Sequence, residues 1–167
     1  MQTFLPYPDF EASARCLDTK RLGKQRVEVL QILNALTRPD ARGWKNHPAT
    51  RMWRGHEGAL IRYGVVVCNE WRSRGFSDTV GEKLLAMASA GSDALPVWFG
   101  DPPLHASHRS RLLRKDPDHY AQFGWTETPS DENYWPVVDG SPHNSKGLAH
   151  RKEGDAVIVP GPSEDRA

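Results

Sequence analysis

Glu28 stands at the end of a basic, partly apolar run, Arg21-Leu22-Gly23-Lys24-Gln25-Arg26-Val27-Glu28. At 100° per residue, with Leu22 at zero, the apolar side chains of residues 22–36 fall between about 280° and 80°. Glu28 falls at about 240°, close to Arg21 at about 260° and Lys24 at about 200°. A carboxylate at the edge of an apolar stripe and flanked by cations has two uses. It faces a pocket, where it can stabilise positive charge or move a proton, or it is a surface Glu in i,i+4 contact with Lys24. The loop Gly43-Trp44-Lys45-Asn46-His47-Pro48 sets Lys45, Asn46 and His47 just ahead of a helix start, where free backbone N–H groups attract phosphate. Asn46 or His47 would serve equally well there as a plain cap. On the following helix Arg51, Gly55, Gly58 and Arg62 share a face. The two glycines allow another backbone, of protein or of DNA, to approach closely. His105 and His108 form an HxxH pair, but there is no HExxH or CxxC pattern to complete a zinc site. GxGxxG, GxxxxGK[ST] and GxSxG are also absent, which removes the common nucleotide-binding and hydrolase signatures.

The elements that must position these residues are helical. Pro6 and Pro8 make residues 1–12 an extended arm. A helix begins near Ser13, with Leu22, Val29, Leu30, Ile32, Leu33 and Leu36 on its apolar face, and Pro39 closes it. Pro48 suits the first turn of a second helix over residues 49–74, capped by Gly75. A shorter helix is expected over 77–90, a Gly/Pro loop over 91–103, and a further helix over 105–115. No repeats and no ladder of alternating strands occur. The fold class is therefore mainly α: a compact, single-domain helical fold with an extended N-terminal arm and a loop-rich C-terminus. Residues 1–138 form the domain. Residues 139–167 turn to Gly, Pro, Ser and charge and read as a poorly ordered extension, apart from a short strand at 155–159.

The chain has 167 residues, 38% hydrophobic and 26% charged, a length that fits one domain. No apolar run approaches the roughly 20 residues of a membrane helix, and residues 1–9 do not resemble a secretory signal. Cys16 and Cys68 are too few for a disulfide scaffold and read as reduced, part-buried thiols of a cytoplasmic protein. The net charge of +1 conceals an asymmetry. Residues 15–74 carry 13 Lys/Arg against five Asp/Glu, whereas residues 116–167 carry ten acids against four bases. A basic body with an acidic tail suggests a polyanion partner.

These residues together resemble the pyrimidine dimer DNA glycosylases, of the phage endonuclease V type and their bacterial relatives. The resemblance rests on Cys16-Leu17-Asp18-Thr19-Lys20-Arg21-Leu22, Gln25-Arg26-Val27-Glu28-Val29-Leu30 and Gly43-Trp44-Lys45-Asn46-His47-Pro48. It continues through Met52-Trp53, Glu70-Trp71-Arg72-Ser73-Arg74-Gly75-Phe76, residues 107–115 and Asp116-Pro117-Asp118-His119-Tyr120. It implies a small helical enzyme without metal or cofactor, a glycosylase and abasic-site lyase acting on damaged pyrimidines in double-stranded DNA. It further implies a monomer, located in the bacterial cytoplasm at the nucleoid. The family's nucleophile is the α-amine of the first residue and its essential carboxylate is a Glu on the first long helix, a position that Glu28 matches. α-Amines titrate at ~7.7–8.0, so a neutral fraction exists near neutral pH. Gln2 is bulky and hinders removal of the initiator, so the nucleophilic amine belongs to Met1 or to Gln2. Arg21, Lys24, Arg26, Lys45, Asn46, His47, Arg51, Arg109 and Arg111 are the expected DNA contacts. Two alternatives share these residues: a non-catalytic nucleic-acid-binding protein, and an N-glycosidase acting on another modified base or nucleotide.

Overall fold

Two aspartates begin the helical part of the chain. Asp9 accepts the Ala12 amide (2.6 Å) and starts α1 (Phe10–Cys16); Asp18 accepts the Arg21 amide (3.1 Å) and starts α2 (Thr19–Thr37). The single helix expected from Ser13 is therefore two, broken at the extended Leu17, because the Asp18 side chain takes the amide that would otherwise continue the first helix. The computed structural model describes residues 1–40, 43–88 and 92–136. The expected domain boundary at 138, the strand at 155–159 and the extension 139–167 lie outside these residues.

The second long helix is also divided, into α3 (Pro48–Arg51) and α4 (Glu57–Ser73). Gly55 lies between them at φ +82, a left-handed value that glycine takes without cost. The expected common face of Arg51, Gly55, Gly58 and Arg62 is thereby lost. Gly58 serves protein packing instead: a Cβ there would meet the Ser92 carbonyl at 2.8 Å. Next come α5 (Val80–Leu85) and α6 (Pro102–Lys115), the latter opening three residues earlier than expected because Pro102 and Pro103 suit a first turn. The short α7 (Pro117–Tyr120) ends the helical run, followed by one 3-10 turn at Ala121–Phe123. The fold is mainly α and forms one compact domain, with no strand among the described residues.

Helix α2 packs on α4 and α5 through Leu22, Val29, Ile32 and Leu33. Gly64 permits this approach: a Cβ there would stand 2.7 Å from Val29 Cγ1 and 2.6 Å from Leu84 Cδ1. Trp53, Tyr63, Phe10, Trp98 and Phe99 form an aromatic cluster at the other side of the core. Both cysteines are buried and free, and burial pushes each thiol up to about 12. No helix among the described residues is long and apolar enough to cross a membrane.

The N-terminal arm is extended, as expected, but it is buried in the core. Thr3 and Leu5 have no exposed surface. An extended strand inside a helical protein has no ladder to satisfy its backbone, so each buried group requires a side chain. The Gln25 amide donates to the Gln2 carbonyl (2.7 Å) and accepts the Phe4 amide (2.8 Å). The Tyr63 hydroxyl donates to the Phe4 carbonyl (2.7 Å). Leu5 donates its amide to His108 Nδ1 (2.9 Å) and accepts His105 Nδ1 at its carbonyl (2.7 Å). Arg109 donates to the Pro6 carbonyl (2.7 Å), and Trp53 Nε1 donates to Thr3 Oγ1 (2.9 Å). Residues from α2, α4 and α6 thus enclose the arm and determine where its first residue stands.

Candidate active site at the N-terminal amine

The arm delivers the Met1 amine to 3.8 Å from Glu28 Oε1. The Met1 side chain is 2% exposed while the residue as a whole is half-buried, so its open part is the backbone end. Glu28 is itself 7% exposed, and Lys24, one turn earlier on α2, lies 3.5 Å from the same oxygen. Glu28 therefore contacts Lys24 at i,i+4 without being the surface residue that reading expected: it is buried and faces a cavity.

That cavity has a volume of about 280 Å³. Met1, Gln2, Phe4 and Glu28 line one part of it. Lys20, Arg21, Lys24, Arg111 and Lys115 supply a cationic wall, and Asn133 completes the lining. Burial pushes Lys115 below the usual lysine range, and the charges of Arg111, Arg21 and Lys24 push it further, against the opposing pull of Asp131. Burial likewise lowers Arg111, whose Nε is buried without a hydrogen-bond partner. Cations thus outnumber anions at this wall, which suits an anionic ligand. A second depression, of about 330 Å³ between α1 and α4, is lined by Glu11, Arg15 and Glu70 among others, and holds no comparable pairing of an amine with a buried carboxylate.

The other expected contacts are dispersed. Arg21 is committed to the fold: it donates to Asp18 (3.1 Å), Asp116 (3.3 Å) and the Lys115 carbonyl (3.0 Å). Burial pushes the Asp18 carboxyl up, but hydrogen bonds from Tyr120 and the Arg21 amide, with the Arg21 charge, outweigh this and hold it below the usual carboxylate range. Arg26 is paired with Asp78 and lies 4.2 Å over the Trp71 ring. Arg109 is held by Glu127 and by the Pro6 carbonyl. His47 caps α3, its Nδ1 accepting the Ala49 amide (3.1 Å), and Lys45 donates to the Pro39 carbonyl (3.2 Å). Asn46 is exposed beside them and Arg51 is half-buried on α3. Of the expected contacts, Arg21, Lys24 and Arg111 line the cavity with Met1, Gln2 and Glu28, whereas Arg26, Lys45, Asn46, His47, Arg51 and Arg109 do not.

His105 and His108 serve the arm. His108 Nδ1 accepts a hydrogen bond and is therefore unprotonated. Its value is pushed down to about 3, first by burial, then by the charge of His105, with smaller contributions from Arg111 and Arg109. Burial lowers His105 as well, against the favourable bond from its Nδ1 to the Leu5 carbonyl. Among the described residues no cluster of His, Cys, Asp and Glu could hold a metal ion.

Sequence reasoning missed Gln25, Lys20, Lys115 and Asn133. One had a readable signal. At about 300° on the helical wheel, Gln25 lies inside the apolar stripe, where a polar residue needs a partner. Asn133 had none. It reaches Gln2 Nε2 (2.9 Å) because residues 128–134 run back along α6, tied by the Arg111 bond to the Asp131 carbonyl and the Tyr134 amide bond to Ser107.

Residues 1–83 match the family model of the pyrimidine dimer DNA glycosylases. The match spans Met1 and Glu28 and ends within α5, before the motifs at 107–120. No curated protein and no solved structure matches the chain.

Proposed function

This chain belongs, through residues 1–83, to the pyrimidine dimer DNA glycosylases, and from that premise we propose that it excises damaged pyrimidines from duplex DNA and cleaves the resulting abasic site. The proposed nucleophile is the α-amine of Met1, and the carboxylate that assists it is Glu28. The observation that carries this reading is the 3.8 Å approach of the terminal amine to a buried carboxylate beside a cationic wall. The buried Met1 side chain favours Met1 over Gln2, since a chain beginning at Gln2 would forfeit that packing.

In this mechanism the neutral amine attacks C1′ of the damaged nucleotide. The C1′–base bond breaks with its electron pair on the base, which takes up a proton. Glu28 stabilises the oxocarbenium-like charge at C1′, takes the extra proton from the added nitrogen and passes it to O4′, which leaves C1′ with the bonding pair as the ring opens to the iminium. The iminium acidifies C2′. Loss of that proton expels the 3′ phosphate oxygen, and water then releases the enzyme. Lys24, Arg111 and Lys115 hold the flanking phosphates while the nucleotide leaves the stack, which costs a few kcal/mol.

The test is borohydride trapping on a duplex with one thymine dimer, mapped by mass spectrometry. A cross-link at the Met1 nitrogen is expected. Binding without any cross-link on dimer or abasic duplex, with the terminus shown to be free, would refute the mechanism and support a non-catalytic binder.

A further inference from the structure

We propose that Gln25 is a positioning residue for the terminal amine, its buried amide setting the register of residues 2–4 against α2 and hence the place of the Met1 amine relative to Glu28. This inference rests on the reading of that amine as the nucleophile.

Gln25 is 1% exposed and sits in the stripe that otherwise carries Leu22, Val29 and Ile32. An apolar side chain would satisfy the packing there. What an apolar side chain lacks is the pair of hydrogen bonds that Gln25 makes with the arm, donating to the Gln2 carbonyl at 2.7 Å and accepting the Phe4 amide at 2.8 Å. The amide thus substitutes for the neighbouring strand that the arm does not have, and it binds alternate residues as a strand would. Trp53, Tyr63, His105 and His108 hold the arm from residue 3 onward. Gln25 holds the carbonyl of residue 2, one peptide unit from Met1. It lies three residues before Glu28 on the same helix, a rise of about 4.5 Å. Amine and carboxylate are therefore referenced to one rigid element. A slip of the arm by about 1 Å would move the attacking nitrogen out of line with C1′, an error that can cost about 100-fold in rate.

The experiment compares wild type, Gln25→Met and Gln25→Glu in single-turnover trapping on an abasic duplex, at a temperature below the melting point of each. Gln25→Met keeps the volume and removes both hydrogen bonds. It should form the Schiff base at least tenfold more slowly, with duplex affinity within twofold and faster hydrogen exchange at the Phe4 amide. Gln25→Glu keeps the acceptor for Phe4 but, when ionised, has no proton for the Gln2 carbonyl. Its rate should be low at neutral pH and recover on acidification relative to wild type, because the protonated carboxyl can donate; a merely structural role would shift the melting point without changing this profile. A folded variant that traps within twofold of wild type would overturn the role of Gln25 alone. If Gln25→Met does not fold, Gln25→Glu carries the test. Absence of a Met1 cross-link in wild type would overturn the mechanism, and this inference with it.

Discussion

At Glu28 the balance between charge and burial determines what the side chain can do. It is largely removed from water yet has the Met1 amine and Lys24 as partners, so its burial as an anion is compensated. Glu28→Gln preserves the shape and removes the charge. Strand cleavage should fall at least 100-fold, the range for a positioned acid–base group, while duplex affinity stays within about threefold. A cleavage assay beside a fluorescence-anisotropy titration checks both, and full cleavage by the variant would exclude Glu28 from the chemistry. The position of Glu28 at the edge of the stripe was visible on a helical wheel. Its partner was not, because Met1 is 27 residues away in the chain.

The arm and α6 act as one unit, joined by His105 and His108. Their contribution has a defined pH dependence. Unfolded, each histidine titrates near ~6.5, whereas folded His108 is pushed down to about 3. Between these values the unfolded chain binds the extra proton, so stability is complete above about pH 6.5 and falls as the pH drops toward 3. His108 alone should cost about 2 kcal/mol between pH 6.5 and pH 5, at about 1.4 kcal/mol per pH unit. The groups facing it, His105, Arg109 and Arg111, add positive charge and reinforce the direction. His108→Asn retains an acceptor for the Leu5 amide and removes the titration. Urea midpoints at pH 7 and pH 5 should show a shallower dependence in the variant; an unchanged slope would place the proton elsewhere.

Among the described residues the basic side chains differ in how far they are committed to the fold. Arg21, Arg26 and Arg109 are spent on aspartates, a glutamate and backbone carbonyls: Arg21 joins α2 to the end of α6, Arg26 joins α2 to Asp78, and Arg109 joins α6 to the arm. Lys24, 72% exposed at the cavity mouth, remains available to a polyanion. Lys24→Ala should reduce the salt dependence of duplex binding by about one phosphate contact, a change of ~0.9 in log–log slope, with little effect on the melting temperature. Arg21→Ala should do the reverse in emphasis, lowering the melting temperature by breaking the Asp18–Arg21–Asp116 network. Salt titrations and thermal melts on the two variants distinguish these roles, and equal melting temperatures would contradict the division.

Local sequence determined the helical class, the apolar face of α2, the proline-bounded start of α3 and the extended character of the arm, because period, caps and proline act within a few residues. The same signals over-extended the helices: the break at Leu17 with its Asp18 cap and the left-handed Gly55 interrupt helices whose apolar spacing continues, and of the helix expected over 77–90 only Val80–Leu85 is helical among the described residues. The family was recognisable in the order of short motifs. Only the tertiary structure decided that the arm is buried, that His105 and His108 bind its backbone, and that Gln2 meets Asn133. It also set cations bound into the fold away from the cavity, such as Arg26 and Arg109, apart from Lys24, which stays exposed beside it. Each of these depends on partners as many as 131 residues apart, and on the need of buried backbone groups for hydrogen bonds, a demand that arises only once the chain has folded around them.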